Sequence, residues 1–157
     1  MASSYKFVSM HKILELYNSI NQFGKVQNMN FEVVEPGKII YTLTVREEHM
    51  ATPLAIHGGV LAAMMDGVLG VTALSISCEE EKLVSTIEFK INFFQPAKLG
   101  DQLVGTGTVE SKGKRIIITS GDIKAENRGV VVAKGIGTFN AYPLEKSGIL
   151  EAMKQKT

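Results

Sequence analysis

The side chain in this sequence best placed to do chemistry is Asp66. It is the single ionisable residue between Gly58 and Cys78, in a run otherwise made of Gly, Ala, Val, Leu, Met, Thr, Ser and Ile. Ahead of it stands His57-Gly58-Gly59. A helix starting at that tripeptide presents free backbone N–H groups at the positive end of its dipole, which suits a carbonyl or anionic oxygen. Asp66 falls about two turns further along the same helix. One short rod thus carries an oxyanion-type site and a buried carboxylate. Blander readings stand beside this one. A lone Asp can be a core carboxylate held by hydrogen bonds, and glycines at a helix start are often only turn chemistry.

The element that carries these residues is apolar all round, so it is buried, either in a core or in a membrane. Spanning takes about 20 mostly apolar residues, and a central Asp costs about 2.5–3.5 kcal/mol on insertion scales. The rest of the chain reads as amphipathic strands. A buried core helix over Gly59–Ser77 is therefore expected. Gly59, Gly67 and Gly70 each cost about 1 kcal/mol of helix propensity. Close packing of a sheet against the glycine face is the simplest compensation.

The chain has 157 residues and a net charge of +1. That length fits one domain, 1–157, with a sizeable core. The near-neutral charge points to neither nucleic acid nor a membrane surface as partner. Cys78 is the single cysteine, which excludes an intrachain disulfide and a thiolate metal cluster. His11, His49 and His57 show no metal-ligand spacing, so no metal is expected. The start lacks the apolar core of a signal peptide, and a cytoplasmic protein is the simplest expectation. There is no Gly-x-Ser-x-Gly elbow. Gly107 to Gly113-Lys114 is one residue too long for a phosphate-binding loop, with Arg115 where Ser or Thr is needed. Gly105-Thr106-Gly107 lacks the third glycine and the following helix of a dinucleotide fingerprint.

Taken in order, Phe7, Met10, Ile13, Leu14, Tyr17 and Ile20 have helical spacing, and Gly24 is the expected stop. Phe31, Val33 and Val34 lead into a Glu35-Pro36-Gly37-Lys38 turn. Ile39, Tyr41, Leu43 and Val45 then alternate as a strand, closing a hairpin. A loop over Arg46–Ile56 delivers the chain to His57. Four strands follow the central helix: Lys82–Phe94, Gln102–Glu110, Arg115–Ala125 and Val130–Ala141. Alternation with hairpin turns predicts a long antiparallel meander. In the first of the four, Leu83, Ser85, Ile87, Phe89, Ile91 and Phe93 share one face, and Thr86, Glu88, Lys90 and Asn92 the other. The tail after Leu144 has room for a short helix. One sheet must wrap the central helix to bury it. A single sheet leaves an open edge, which dimerisation edge to edge would cover.

Several of these pieces together resemble the hotdog-fold acyl-CoA thioesterases of the phenylacetyl-CoA thioesterase type. They are His57-Gly58-Gly59, Asp66 and Gly70; the run from Thr86 through Pro96-Ala97, followed by Gly100-Asp101; Gly113-Lys114-Arg115; and Gly137-Thr138-Phe139. The resemblance covers about residues 30–141, and the core is placed at about 28–141. It implies an α+β hotdog fold: a long central helix wrapped by an antiparallel sheet of about six strands, with an N-terminal helix added. It also implies hydrolysis of an acyl-CoA thioester at a site between two subunits, without a cofactor, since coenzyme A belongs to the substrate. In that family the Gly58 N–H would face the thioester oxygen. Asp66, from the other subunit, would act as general base or nucleophile. Thr86 would help place the water, and His57 would shape the site. Gly59 and Thr52 would border the substrate. Thr52 lies in Ala51-Thr52-Pro53-Leu54-Ala55-Ile56, where many relatives carry an Asn-Pro segment with a glycine behind it. Lys112, Lys114 and Arg115 could bind the phosphates of coenzyme A, or be a solvated hairpin tip. A homodimer, or dimers paired into a homotetramer, is implied. The alternative is an acyl-CoA-binding hotdog module without turnover.

Overall fold

The computed structural model describes residues 10–155. Two short helices, α1 (Lys12–Ile20) and α2 (Gln22–Gln27), open the chain. Ile13 and Leu14 are buried, and Met10 and Tyr17 pack against the core, as the helical spacing predicts. Phe7 lies outside the described residues. Gly24, the expected stop, sits inside α2. The helix breaks at Asn21 instead, whose side chain accepts from the Gly24 N–H at 3.0 Å and caps a second helix.

The predicted hairpin forms from β1 (Asn30–Glu35) and β2 (Lys38–Thr44). Gly37 holds the turn at φ +84° and donates its N–H to Ser75 Oγ at 2.8 Å, which ties the turn to the central helix. Ile39, Tyr41, Leu43 and Val45 are all buried. The segment expected as a loop contains a 3-10 turn (Glu47–His49) and a small hairpin, β3 (Met50–Thr52) and β4 (Ala55–Ile56). The central helix α3 (Gly58–Ser77) follows, then β5 (Lys82–Phe93), β6 (Gln102–Lys112), β7 (Ile116–Ala125), β8 (Val130–Pro143) and α4 (Ile149–Lys154).

Six strands form one antiparallel sheet in the order β1-β2-β6-β7-β8-β5. Only β6, β7 and β8 run as a meander, so the expected run of four is corrected. The link 94–101 is no hairpin turn. Ala97 O accepts from the Ile56 N–H, Gly100 donates to Val45 O, and Asp101 O accepts from the Val45 N–H. The link therefore carries the chain past the end of β2, and β6 pairs there while β5 joins β8. Asp101 is almost fully buried in this link. Its carboxylate takes three bonds from the Arg128 guanidinium, at 2.9, 3.1 and 2.6 Å, one from the Lys98 N–H at 2.8 Å and one from the Asn127 amide at 3.1 Å.

The helix α3 packs against β2, β5, β6, β7 and β8. With the turn after it, it is long and apolar enough to cross a membrane by length and composition; here the sheet takes Met64, Met65, Val68 and Leu69 out of solvent entirely. The closeness of the fit runs both ways. A Cβ on Gly67 would fall 2.6 Å from the Tyr41 ring of β2, and one on Gly70 would fall 3.3 Å from the Phe139 ring of β8. From the sheet side, a Cβ on Gly105 would overlap the Val68 side chain.

The strand β5 departs from simple alternation. Thr86 pairs with Phe139 and Glu88 with Thr138, so Ile87 is a bulged residue. The insertion reverses which residues face the helix. Before it Thr86 points inward, and after it Phe89 does, packed at the position of Gly137 beside Leu69. The single face predicted from Leu83 through Phe93 is thus broken, and Ile87 is left exposed.

Candidate active site

The start of α3 is braced from behind. The His57 N–H donates to His49 O at 2.8 Å. His49 is fully buried, and its Nδ1 accepts from the Arg46 N–H at 3.0 Å. Burial and the Arg46 charge hold its ring below the ordinary histidine range, against a smaller opposing effect of Glu48. A neutral ring that accepts at Nδ1 carries its proton on Nε2. His57 caps the helix: its Nδ1 accepts from the Gly59 N–H at 2.8 Å. Of the two glycine amides offered by the sequence, Gly59 is therefore already used inside the chain. Gly58, the first helical residue, has no intrahelical acceptor for its N–H and is exposed. The Phe93 ring lies 3.7 Å from where a Cβ on Gly58 would stand, an ordinary contact.

Two turns on, Asp66 is half-buried on α3. Thr86 Oγ1 donates to Asp66 Oδ1 at 2.8 Å. The sequence assigned Thr86 to the polar face of its strand. The structure turns it toward the helix, because the bulge at Ile87 resets the register. Asp66 also faces two phenols that sequence reasoning treated only as core residues. Burial first, and the Asp66 carboxylate after it, raise Tyr17 above the ordinary tyrosine range. Burial, Tyr17 and Asp66 in that order raise Tyr41 further. The signal for Tyr41 was present in Gly67, the next residue after Asp66, which leaves room for its ring.

Asp66 opens into a cavity of about 600 Å³. Its walls are α1, the Gly67–Gly70 side of α3, the start of β5 and the beginning of α4. A carboxylate that accepts a hydroxyl bond on one oxygen and faces a cleft of this kind can take a proton from a water placed there.

Not every expected site residue is gathered at this point. Gly58 lies eight residues before Asp66, about 12 Å along the helix axis at 1.5 Å per residue. One chain therefore keeps the amide and the carboxylate apart. Thr52 is exposed at the tip of the β3–β4 hairpin and accepts from the Leu54 N–H at 3.2 Å. The basic tip lies toward the opposite end of α3 from Gly58: Lys112 is ion-paired with Glu80, just past the helix C-terminus. Lys112 and Lys82 together hold Glu80 down to about 2. Lys82 also donates to Lys114 O at 3.1 Å, and Arg115 donates to Asn140 at 3.3 Å.

Residues 55–132 match the family described as the thioesterase superfamily. The chain is 27% identical over 129 residues to acyl-coenzyme A thioesterase 13 of Homo sapiens, across 81% of this chain and 90% of that one. The structure is similar to that of the E. coli PaaI protein from the phenylacetic acid degradation operon, with a TM-score of 0.75 at 19% identity, across 82% and 90% of the two chains. It is similar also to a hypothetical thioesterase protein from Streptococcus pneumoniae solved with coenzyme A, with a TM-score of 0.66 at 23% identity, across 74% and 87%. The likeness in structure shows the hotdog fold.

Proposed function

We propose that this chain, a thioester hydrolase whose residues 55–132 match the thioesterase superfamily, acts on an acyl-CoA, cleaved to coenzyme A and a carboxylic acid at a site built by two copies of the chain. The observation that carries the reading is the Thr86–Asp66 bond of 2.8 Å at the mouth of the cleft. Asp66 is the general base or nucleophile, Thr86 orients it and the attacking water, and the partner subunit's Gly58 supplies the N–H to the thioester oxygen. A thioester is already activated, so these parts suffice. An oxyanion donor contributes about 2.7–4 kcal/mol, and a general base about 10²–10⁴-fold.

The two-copy site is supported by β5. It is an edge strand of the sheet. Both half-sites lie along it, with Asp66 against Thr86 and Gly58 beside Phe93. If β5 pairs antiparallel with its own copy about a twofold axis between Phe89 and Lys90, Thr86 of one strand stands opposite the partner subunit's Phe93. That pairing brings each Asp66 toward the partner subunit's Gly58. It also covers an otherwise open edge and the exposed Ile87 and Phe93. His57 fixes the Gly58 amide by capping the helix. Lys114 and Arg115 are the basic groups proposed to meet the phosphates of coenzyme A. The place of action proposed is the cytoplasm.

The test is a panel of acyl-CoA thioesters with detection of the freed thiol, on the native protein and on Asp66→Asn. Turnover that falls by about 10²–10⁴-fold in a well-folded Asp66→Asn protein supports the reading. A kcat within a few-fold of the native value would return Asp66 to the role of a core carboxylate.

A further inference from the structure

We propose that the cleft beside Asp66 takes the acyl group, that Ile20 and Ile149 form its end wall, and that the substrate therefore carries a long apolar acyl chain rather than acetyl. This inference rests on the acyl-CoA reading above. The cavity of about 600 Å³ lies inside the range of about 300–1,000 Å³ typical of small-molecule sites. Its polar groups include Asp66 and Thr86 at one place, while Leu16, Val71, Leu74 and Phe139 line it elsewhere. An acetyl group would occupy a small part of that space.

A second cavity of about 360 Å³ lies between α1, the start of α2 and α4, lined in part by Ile20, Ile149, Ala152 and Met153. Ile20 and Ile149 border both cavities. These two side chains are the partition between the Asp66 cleft and the space beyond it. Both come from segments outside residues 55–132, the part that matches the superfamily. The wall is thus a place where chain length can be set without touching the reacting groups. An apolar wall selects by size: each methylene taken out of water favours binding by about fourfold, and the gain ends where the chain meets the wall.

The experiment measures kcat/KM for straight-chain acyl-CoA thioesters from acetyl to hexadecanoyl. It compares the native protein with Ile149→Ala, Ile149→Trp and Ile20→Ala, each checked by a thermal melt. The readout is the ratio of the hexadecanoyl to the butyryl value. The native profile is expected to rise with chain length and then level off. Opening the wall in either Ala variant raises the ratio by about tenfold, and Ile149→Trp lowers it by a similar factor. If Ile149→Trp does not fold, the two Ala variants decide. A native profile flat from acetyl upward, or ratios within twofold of native in all folded variants, overturns the wall.

A parallel arm titrates the butyryl and hexadecanoyl thioether analogues of the same substrates by calorimetry. Analogue affinities that shift with the wall, without any turnover, keep the wall and overturn the acyl-CoA hydrolysis it was built on. Turnover with unmoved ratios does the reverse. Neither turnover nor analogue binding overturns both.

Discussion

Thr86 Oγ1 donates to Asp66 Oδ1 at 2.8 Å, joining the edge strand to the central helix across twenty residues of chain. The bond orients the carboxylate beside the cleft, and among the described residues no hydrogen bond reaches its other oxygen. Replacing Thr86 by Val keeps the shape and removes the donor. A hydrogen bond to a charged group contributes about 1.5–3 kcal/mol. If the transition state depends on the carboxylate orientation that this bond fixes, kcat falls by about 10- to 100-fold, and Thr86→Ser restores most of it. Steady-state kinetics on the best acyl-CoA found for the native protein reads both. A Val variant with native kcat would make the bond a packing detail.

Asp66 was legible in the sequence because it is the one charge in an apolar run. The β2 core face was legible for the same kind of reason, a clean alternation from Ile39 to Val45. Thr86 reads as a polar-face residue, and the structure places it on the other side of its strand, against Asp66. A one-residue bulge leaves no trace in composition, and at Ile87 it swaps every later side chain across the sheet. Gly24 misled because Asn21, a better cap than a glycine is a stop, starts a second helix there. The neighbour of β5 was unreadable, since the link 94–101 is held by distant groups, Val45 and Arg128, that local patterns do not reveal. Tyr17 and Tyr41 read as core because only the fold turns them toward Asp66.

Gly67 is held to its size by Tyr41. Gly67→Ala gains about 1 kcal/mol of helix propensity, but its Cβ would stand 2.6 Å from the ring. Overpacking of this kind costs about 1–3 kcal/mol. Urea unfolding should show a net loss or no gain, and Gly67→Ala combined with Tyr41→Leu should recover it. A clear stabilisation by the single change would show that the ring moves aside freely.

The pair of buried Asp101 and half-buried Arg128 ties the link 94–101 to the turn before β8. Burial alone would push Asp101 up. The Arg128 guanidinium, the Lys98 N–H and Asn127 outweigh it and hold the carboxyl below the usual range. A lowered folded value means stability that is full above the ordinary Asp range and lost as pH falls through the folded value. Arg128→Ala should cost about 3–5 kcal/mol at neutral pH, the usual result of leaving a buried charge alone. Urea midpoints between pH 7 and pH 2 should fall less steeply for Asp101→Asn than for the native protein. Parallel curves would remove Asp101 from the acid response.

Lys112 is paired with Glu80, whereas no acidic side chain pairs with Lys114 or Arg115 among the described residues. Neutralising Lys114 and Arg115 together should raise KM for acyl-CoA far more than it lowers kcat, the pattern of uniform binding. The effect should shrink as salt is added. Lys112→Met should have the smaller effect on KM. An unchanged KM at low salt would make the tip a solvated turn.

The two-copy site is tested most directly by mixing two inactive proteins. Asp66→Asn removes the base. Gly58→Pro removes the amide proton at the first helical position, where proline is well tolerated, and His57 at φ −67°, ψ 129° already has the backbone that precedes a proline. Each alone should lose about 10²-fold or more of kcat. In a mixed dimer one site holds an intact Asp66 and the partner subunit's intact Gly58, and the other site holds both lesions. After subunit exchange at equal ratio, half the dimers are mixed, so activity should return to about a quarter of native. Activity no greater than the sum of the two parents, with exchange verified by mass, would place the amide and the carboxylate in one chain and contradict the site drawn here.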